Sequence, residues 1–167
     1  MLELVHAGET TPGAEQVAAH AGVGLRTVFR HFNDMDSLYR EMSAAIESEI
    51  VEAVSKPLKG DTWRERLSDM ITRRAAAFEK MAPFQRAAAV HRHRSRYLDD
   101  AHQRFSAICR AYLMAILPKE VTGQPTLLES LDLMLSFETW SRLRREQNLT
   151  ARRARVVVEE TVLKLID

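Results

Sequence analysis

Residues 13–32 read GAEQVAAHAGVGLRTVFRHF, and this stretch decides the fold of the N-terminal region. Two short helical segments flank Gly22, which permits the left-handed backbone needed to end one helix and turn the chain sharply. Val17 faces inward from the first segment, and Val28 and Phe32, four residues apart, face inward from the second. The stretch therefore predicts two short helices at a steep angle joined by a glycine turn, a helix-turn-helix.

The outer faces of the second segment carry residue types that contact DNA. The residues left outside are Arg26, Thr27, Phe29, Arg30 and His31. Arginine can bind guanine through two hydrogen bonds, and threonine can contact a thymine methyl group or a phosphate. A second helix of this kind fits the major groove. The inward residues alone would equally suit a helical hairpin in an ordinary core, so the outward set is what favours DNA.

At these residues the chain resembles the tetracycline-repressor (TetR) family of transcriptional regulators. The shared features are the turn Ala21-Gly22-Val23, the run TVFRHF at residues 27–32, and the following Asp36, Leu38 and Tyr39. The resemblance implies an all-α protein with a helix-turn-helix DNA-binding domain at residues 1–42 and a larger helical ligand-binding and dimerisation domain at residues 43–167. It also implies that Arg26, Thr27 and Arg30 contact the groove, while Phe29 and His31 lie against phosphates.

The function implied by the resemblance is ligand-responsive transcription regulation. We expect a homodimeric repressor that binds a near-palindromic double-stranded operator and is released by a small-molecule effector, with no cofactor. The family has a longer first helix, so we expect the first helix to be incomplete here. Gly13 and Met35 stand where the family favours a capping threonine and a phosphate-binding lysine, which should reduce DNA affinity. The alternative is a ligand-binding or dimerisation module that does not bind DNA.

Composition sets the broader limits. Of 167 residues, 46% are hydrophobic and 28% charged, which is typical of a globular protein and not of a disordered one. Six glycines and five prolines are too few for a turn-rich β fold. Residues 1–54 hold three arginines against nine acids, whereas a DNA-binding domain is usually basic. The single cysteine and the absence of a membrane-spanning apolar run predict a cytoplasmic protein with no membrane partner.

Hydrophobic periodicity predicts helix nearly throughout. The predicted helices cover residues 2–7, 13–20, 24–32, from Asp34 or Asp36 to about 54, 62–81, 83–94, 97–116, 126–146 and 150 to the C-terminus. Pro83 is placed at a helix start, where its missing N–H costs nothing. Residues 121–125 are predicted as a loop.

The later helices carry more apolar residues than one core stripe needs. Some of them should line a ligand cavity, and the candidates are Met70, Phe78, His91, Phe105, Cys109, Tyr112, Met134 and Phe137. Apolar walls with a few polar groups suit an apolar or aromatic effector. Helices that are apolar over most of their circumference must be covered on two sides, which predicts a dimer interface. Its candidates are Leu131, Leu135, Trp140, Val158, Val162 and Leu165.

No residue pattern indicates catalysis. A Ser-His-Asp arrangement and a glycine-rich phosphate loop are both missing from the sequence. His91 and His93 are two residues apart, so on a helix their side chains point away from each other and do not share a metal. We therefore expect neither a metal site nor enzymatic activity. A helical enzyme that uses the cavity is the remaining alternative, and it has no motif to support it.

Overall fold

The computed structural model describes residues 1–9, 11–32, 34, 36–37, 39–44 and 56–167. All regular secondary structure in these ranges is helical, which confirms the predicted all-α class. The helices are α1 Leu2–His6, α2 Ala14–His20, α3 Leu25–His31, α4 with described residues 36–37 and 39–44, α5 Trp63–His91, α6 Arg96–Ile116, α7 Lys119–Thr122, α8 Pro125–Met134, α9 Phe137–Arg145 and α10 Ala151–Leu165. A 3₁₀ turn covers Arg92–Arg94.

The chain forms two compact units, each built from two stretches of sequence. The first unit contains residues 1–52 and 81–103, and the second contains residues 53–80 and 104–167. Helices α5 and α6 therefore each contribute residues to both units. The predicted division near residue 42 falls inside the first unit, and the predicted end of the α4 helix near residue 54, like Met35 and Leu38, lies outside the described residues.

The first unit has its own apolar core. The buried residues of this core are Val5, Tyr39, Met42, Phe84, Ala87, Ala88 and Leu98. The Arg40 guanidinium lies 4.9 Å from the centre of the Tyr97 ring, a cation–π distance. Helices α2 and α3 contact each other and bury Val17, Ala18 and Val28. The inward positions predicted for Val17 and Val28 are confirmed.

The second unit has a separate core, formed along α5, α6, α8 and α10. Its largest fully buried side chains are Leu67, Met70, Ile71, Leu113, Leu131 and Val162. Helix α10 contacts both α8 and α9, and α7 contacts α8. Thr150 caps α10 by accepting a hydrogen bond from the Arg153 backbone N–H at 3.2 Å, which confirms the predicted helix start.

The start of α5 is fixed by reciprocal side-chain caps. The Glu65 carboxylate accepts hydrogen bonds from the backbone N–H groups of Asp61 and Thr62 at 2.8 and 2.9 Å, and the Thr62 hydroxyl accepts one from the Glu65 N–H at 3.2 Å. This is a capping box, Thr-x-x-Glu. These hydrogen bonds to the ionised carboxylate lower the pKa of Glu65 below its usual value.

We expect Glu65→Gln to reduce the free energy of unfolding at pH 7 and to have less effect in acid. Because the folded-state pKa of Glu65 is lowered, its contribution is present above the unfolded-state pKa of 4.5 and is lost as pH falls through the folded value. Urea unfolding followed by circular dichroism at pH 7 and pH 3 measures this. The matched control is Glu160→Gln, an exposed acid on α10. An equal loss at both pH values would contradict the prediction.

Two predicted helix boundaries are wrong. Pro83 does not begin a helix but lies inside α5, which runs without interruption from Trp63 to His91. A proline in a helix interior gives up one backbone hydrogen bond, and burial of Met81, Phe84 and Ala87 around it compensates for that loss. Part of the predicted loop 121–125 is also helical, because α7 extends to Thr122.

The single helix predicted for residues 126–146 is also wrong, because it is divided into α8 and α9. Helix α8 does not continue past this point because Ser136 caps the next helix, α9. The Ser136 hydroxyl oxygen accepts a hydrogen bond from the Thr139 N–H at 3.1 Å. The Leu135 carbonyl, at the end of α8, accepts a hydrogen bond from the Arg74 guanidinium at 3.1 Å. The corner between α8 and α9 is therefore held by local and long-range contacts.

No helix in the described part of the chain combines the length and the apolar character needed to cross a lipid bilayer.

Candidate functional site

The turn between α2 and α3 is held by a regular hydrogen-bonding pattern. At the end of α2, the Val23 N–H donates to the Ala18 carbonyl at 3.0 Å, and the Gly22 N–H donates to the Ala19 carbonyl at 3.2 Å. This is a Schellman arrangement, which requires a left-handed residue just after the helix. Gly22 supplies it with φ of +66°. The sequence therefore predicted the role of Gly22 correctly.

We expect Gly22→Ala to destabilise the first unit more than Gly24→Ala does. No atom lies within 4 Å of a Cβ built on either residue, so the two substitutions differ in backbone conformation and not in space. Alanine in the left-handed region costs about 1 kcal/mol, whereas Gly24 has φ of −72°, which alanine adopts freely. Urea unfolding of both variants measures the difference. Equal losses would contradict the assigned role of the Gly22 backbone.

Helix α3 presents most of its predicted DNA-binding residues to solvent. Phe29 is 52% exposed, whereas Val28 is 7% exposed and packs inward. Arg26, Arg30 and His31 are exposed as well, and Thr27 is half-buried. Phe29 is therefore an exposed apolar side chain on a face that also carries three exposed basic residues. We call Arg26, Thr27, Phe29, Arg30 and His31 the α3 outer face.

The α3 outer face is basic although the surrounding sequence is acidic. Residues 24–32 contain two arginines and one histidine and no acid. Among the described residues, no ion pair involves Arg26 or Arg30, and both side chains are exposed. Two of the three arginines of residues 1–54 therefore lie on one short helix. This local positive charge is suited to phosphate binding, although the net charge of residues 1–54 is negative.

The second unit contains an open cavity of about 320 Å³ between α5, α6, α8 and α9. Four of the eight predicted pocket residues line it: Phe78, Phe105, Cys109 and Phe137. The Phe78 ring meets the Phe137 ring edge to face, with centroids 5.4 Å apart and an angle of 86°. The Phe105 ring lies 6.4 Å from that of Phe78 at 61°. These three rings form an aromatic wall, the kind of surface that binds small molecules.

The Arg74 side chain holds the backbone next to the aromatic wall. The Arg74 guanidinium donates to the carbonyl oxygens of Leu135 and Cys109 at 3.1 and 3.0 Å, and it lines a narrow space of about 10 Å³ beside the larger cavity. Burial lowers the pKa of Arg74, and the charge of nearby Asp132 opposes that shift. Burial also raises the pKa of the Cys109 thiol, so this sulfur is a neutral apolar group of the wall.

Helix α9 is fastened to α5 by a charged contact close to the cavity. The Glu79 carboxylate accepts two hydrogen bonds from the Arg144 guanidinium, at 2.8 and 2.9 Å, and one from the Trp140 indole at 2.9 Å. These bonds raise the pKa of Arg144. A two-point arginine–carboxylate contact fixes orientation as well as distance, so it sets where Phe137 lies on the same helix.

The other predicted pocket residues are placed elsewhere. Met134 lines the narrow space beside Arg74, together with Phe78. Met70 is buried in the core of the second unit, and neither it nor Tyr112 lines either of these two cavities. His91 belongs to the first unit, where its ring lies 5.3 Å from that of Tyr39. The predicted set is therefore divided between a cavity wall and two cores.

The residues predicted for a dimer interface are mostly covered by their own chain. Leu131, Leu135, Trp140, Val158 and Val162 are all buried, and Leu165 is 39% exposed. Their burial is supplied by contacts of α8 and α9 with α10 and by the core of the second unit.

Sequence reasoning missed the charged residues of the cavity. Its lining also contains Arg110, Glu129, Asp132 and Glu138. Their spacing carried a signal, because Ser106 and Arg110 are four residues apart on α6, and Glu129 and Asp132 are three residues apart on α8. That spacing marks a shared face, but only the packing of four helices shows that the face borders a cavity.

Comparison of the chain with protein-family models, with curated proteins and with solved structures finds no match. Function must therefore be argued from the α3 outer face and the cavity themselves.

Proposed function

We propose that this chain is a DNA-binding transcriptional regulator of the TetR kind, with α2 and α3 as a helix-turn-helix and α3 as the helix that enters the major groove. The observation that carries the proposal is the α3 outer face, where Arg26, Phe29 and Arg30 are exposed while Val28 packs inward. The glycine turn before α3 and its contact with α2 further support it. The resemblance of residues 13–39 to the family points to the same conclusion.

The proposal places the protein in the cytoplasm as a homodimer. A dimer is needed because one seven-residue helix contacts too little DNA for specific control. Two copies would place their α3 helices about 34 Å apart, one turn of the duplex, and read a near-palindromic operator. The dimer would use the exposed surface of α8, α9 and α10.

The proposal also includes a small-molecule effector bound in the cavity of the second unit. Ligand sites are commonly clefts of about 300–1,000 Å³, and this cavity of about 320 Å³, with an aromatic wall on one side, lies within that range. Binding of an effector would shift the population of the dimer away from the form that fits the operator. Repression with release by the effector is then the mode of action.

The proposal is tested by selecting duplexes from a random double-stranded pool with the purified chain and measuring their affinity by fluorescence anisotropy. We expect the selected duplexes to share an inverted repeat and to bind at least about 1,000-fold more tightly than an unselected duplex. Light scattering on the same sample should give twice the chain mass. Failure to enrich any sequence would leave the chain as a ligand-binding or dimerisation module without DNA recognition, and the proposal would be abandoned.

A further inference from the structure

Helix α3 carries two exposed apolar side chains on one face. Leu25 is 37% exposed and Phe29 is 52% exposed, whereas Val28 on the same helix is only 7% exposed. Leu25 and Phe29 are four residues apart, and residues at this spacing are neighbours on the surface of a helix. We call these two residues the apolar stripe.

The apolar stripe lies beside a row of positive charge. Successive residues of an α-helix are rotated by about 100°, so Arg26 and Arg30 form a second row next to the stripe. Both arginines are exposed, and residues 24–32 contain no acid. A purely apolar partner would remove water from the two guanidiniums without supplying a counter-charge. A partner that covers this part of α3 must therefore be anionic and must also offer apolar groups.

The major groove of duplex DNA meets both requirements. Its phosphates are anionic, and the thymine C5-methyl is the apolar group that the base pairs present there. The other groups on the base edges are hydrogen-bond donors and acceptors, which lose water and gain no partner when an apolar side chain covers them. A phenyl ring against a phosphate would cover charged oxygens in the same unpaired way. A thymine methyl is therefore a better contact for Phe29 than the phosphate that the family resemblance implies.

We infer that Leu25 and Phe29 read thymine methyl groups in each half-site of the operator. The apolar stripe then selects thymine over cytosine, while Arg26 and Arg30 bind phosphates or guanine on the adjacent row. This inference rests on the proposed function, because it names the base that the proposed recognition helix selects. Burying one methyl group strengthens binding by about fourfold, so one thymine in each of two half-sites contributes about tenfold or more.

The test replaces thymine by uracil, because the two bases differ only in the C5-methyl group. Each thymine that the selected duplexes share is replaced by uracil at the two symmetric positions, and affinity is measured by fluorescence anisotropy on the full chain. We expect at least one position at which uracil weakens binding by about tenfold. Uracil in the flanks, outside the inverted repeat, is the control and should change affinity by less than about twofold.

Variants connect the methyl preference to the apolar stripe. In the double variant Leu25→Ala with Phe29→Ala, the ratio of thymine to uracil affinity at that position should fall below about twofold, because the side chains that cover the methyl group are gone. The matched control is Ile108→Ala with Leu133→Ala, which removes two exposed apolar side chains from the second unit and should keep the full ratio. Thermal unfolding and light scattering show whether each variant is folded and dimeric.

Three results overturn the inference and leave the proposed function standing: selected half-sites that share no thymine, uracil without effect at every shared position, or a thymine–uracil ratio that the double variant leaves unchanged. The uracil scan on the wild-type chain decides the matter even if the double variant does not fold. Half the wild-type mass for the folded double variant would place the apolar stripe between subunits and would also overturn the inference. A chain that enriches no duplex at all loses the proposed function, and the inference is lost with it.

Discussion

Replacing Arg26 and Arg30 together by alanine will weaken binding of the selected duplex by at least about 30-fold at 0.15 M salt. An arginine that contacts a base or phosphate contributes about 1–3 kcal/mol, and both guanidiniums belong to the exposed α3 outer face. Anisotropy titrations of wild type and variant measure the loss. In a dimer the substitution removes four positive charges from the surface that contacts DNA.

The salt dependence of the same titrations separates the two kinds of contact. Each phosphate that is neutralised adds about 0.9 to the slope of the logarithm of affinity against the logarithm of salt concentration. If both arginines contact phosphates in both copies, the slope of the double variant should be less steep by about 3 to 4. If one of them reads a base, the slope changes less and the selected duplexes lose their preference at one position in each half-site.

The control for these measurements removes the same charge from the second unit. Arg104 and Lys119 are exposed on α6 and α7, and their replacement by alanine should leave duplex affinity within about twofold after allowance for screened long-range charge. Thermal unfolding of both double variants should match wild type, because exposed basic side chains contribute little to stability. Equal losses of affinity for the two double variants would show that binding follows net charge and not the α3 outer face.

The parts of the fold that sequence predicted well are those decided locally. Gly22 has a positive φ because the end of α2 needs a left-handed residue at that position, and this requirement can be read from a few neighbouring residues. Thr150 caps α10 for the same kind of local reason. The inward packing of Val28 follows from helical periodicity alone.

The parts that sequence predicted badly depend on contacts between distant residues. Pro83 lies inside a continuous helix because burial on both sides of it outweighs a local cost of about 3 kcal/mol, and no short window of sequence shows that burial. The corner after Leu135 depends on a hydrogen bond from Arg74, 61 residues earlier in the chain. The α8–α9 helix was therefore predicted too long.

The sequence predicted several apolar residues of the cavity but missed its acidic ones, for the same reason. Phe78, Phe105, Cys109 and Phe137 were found because apolar residues at helical spacing mark a covered face. Glu129 and Glu138 were not found, because an exposed acid on a helix is ordinarily a solvated residue with no further role. Their place in the lining of the cavity depends on the packing of four helices.

Replacing Leu131 by alanine will lower the free energy of unfolding by about 3 kcal/mol, whereas the same change at Leu133 will alter it by less than about 0.5 kcal/mol. The two leucines are two residues apart on α8, but Leu131 is 0% exposed and Leu133 is 66% exposed. The first substitution removes buried methyl groups and leaves a space in the core. The second removes a side chain that is already largely in water, so the pair is matched in chemistry and in helix position.

Urea unfolding at several protein concentrations turns this pair into a test of the dimer interface. Leu131 is predicted from sequence to lie between subunits, but its side chain is covered within its own chain. The loss caused by Leu131→Ala should therefore stay the same when the protein is diluted, because it arises inside one subunit. A loss that grows with dilution would mean that Leu131 contacts the second copy, and α8 would then have to repack when two chains associate.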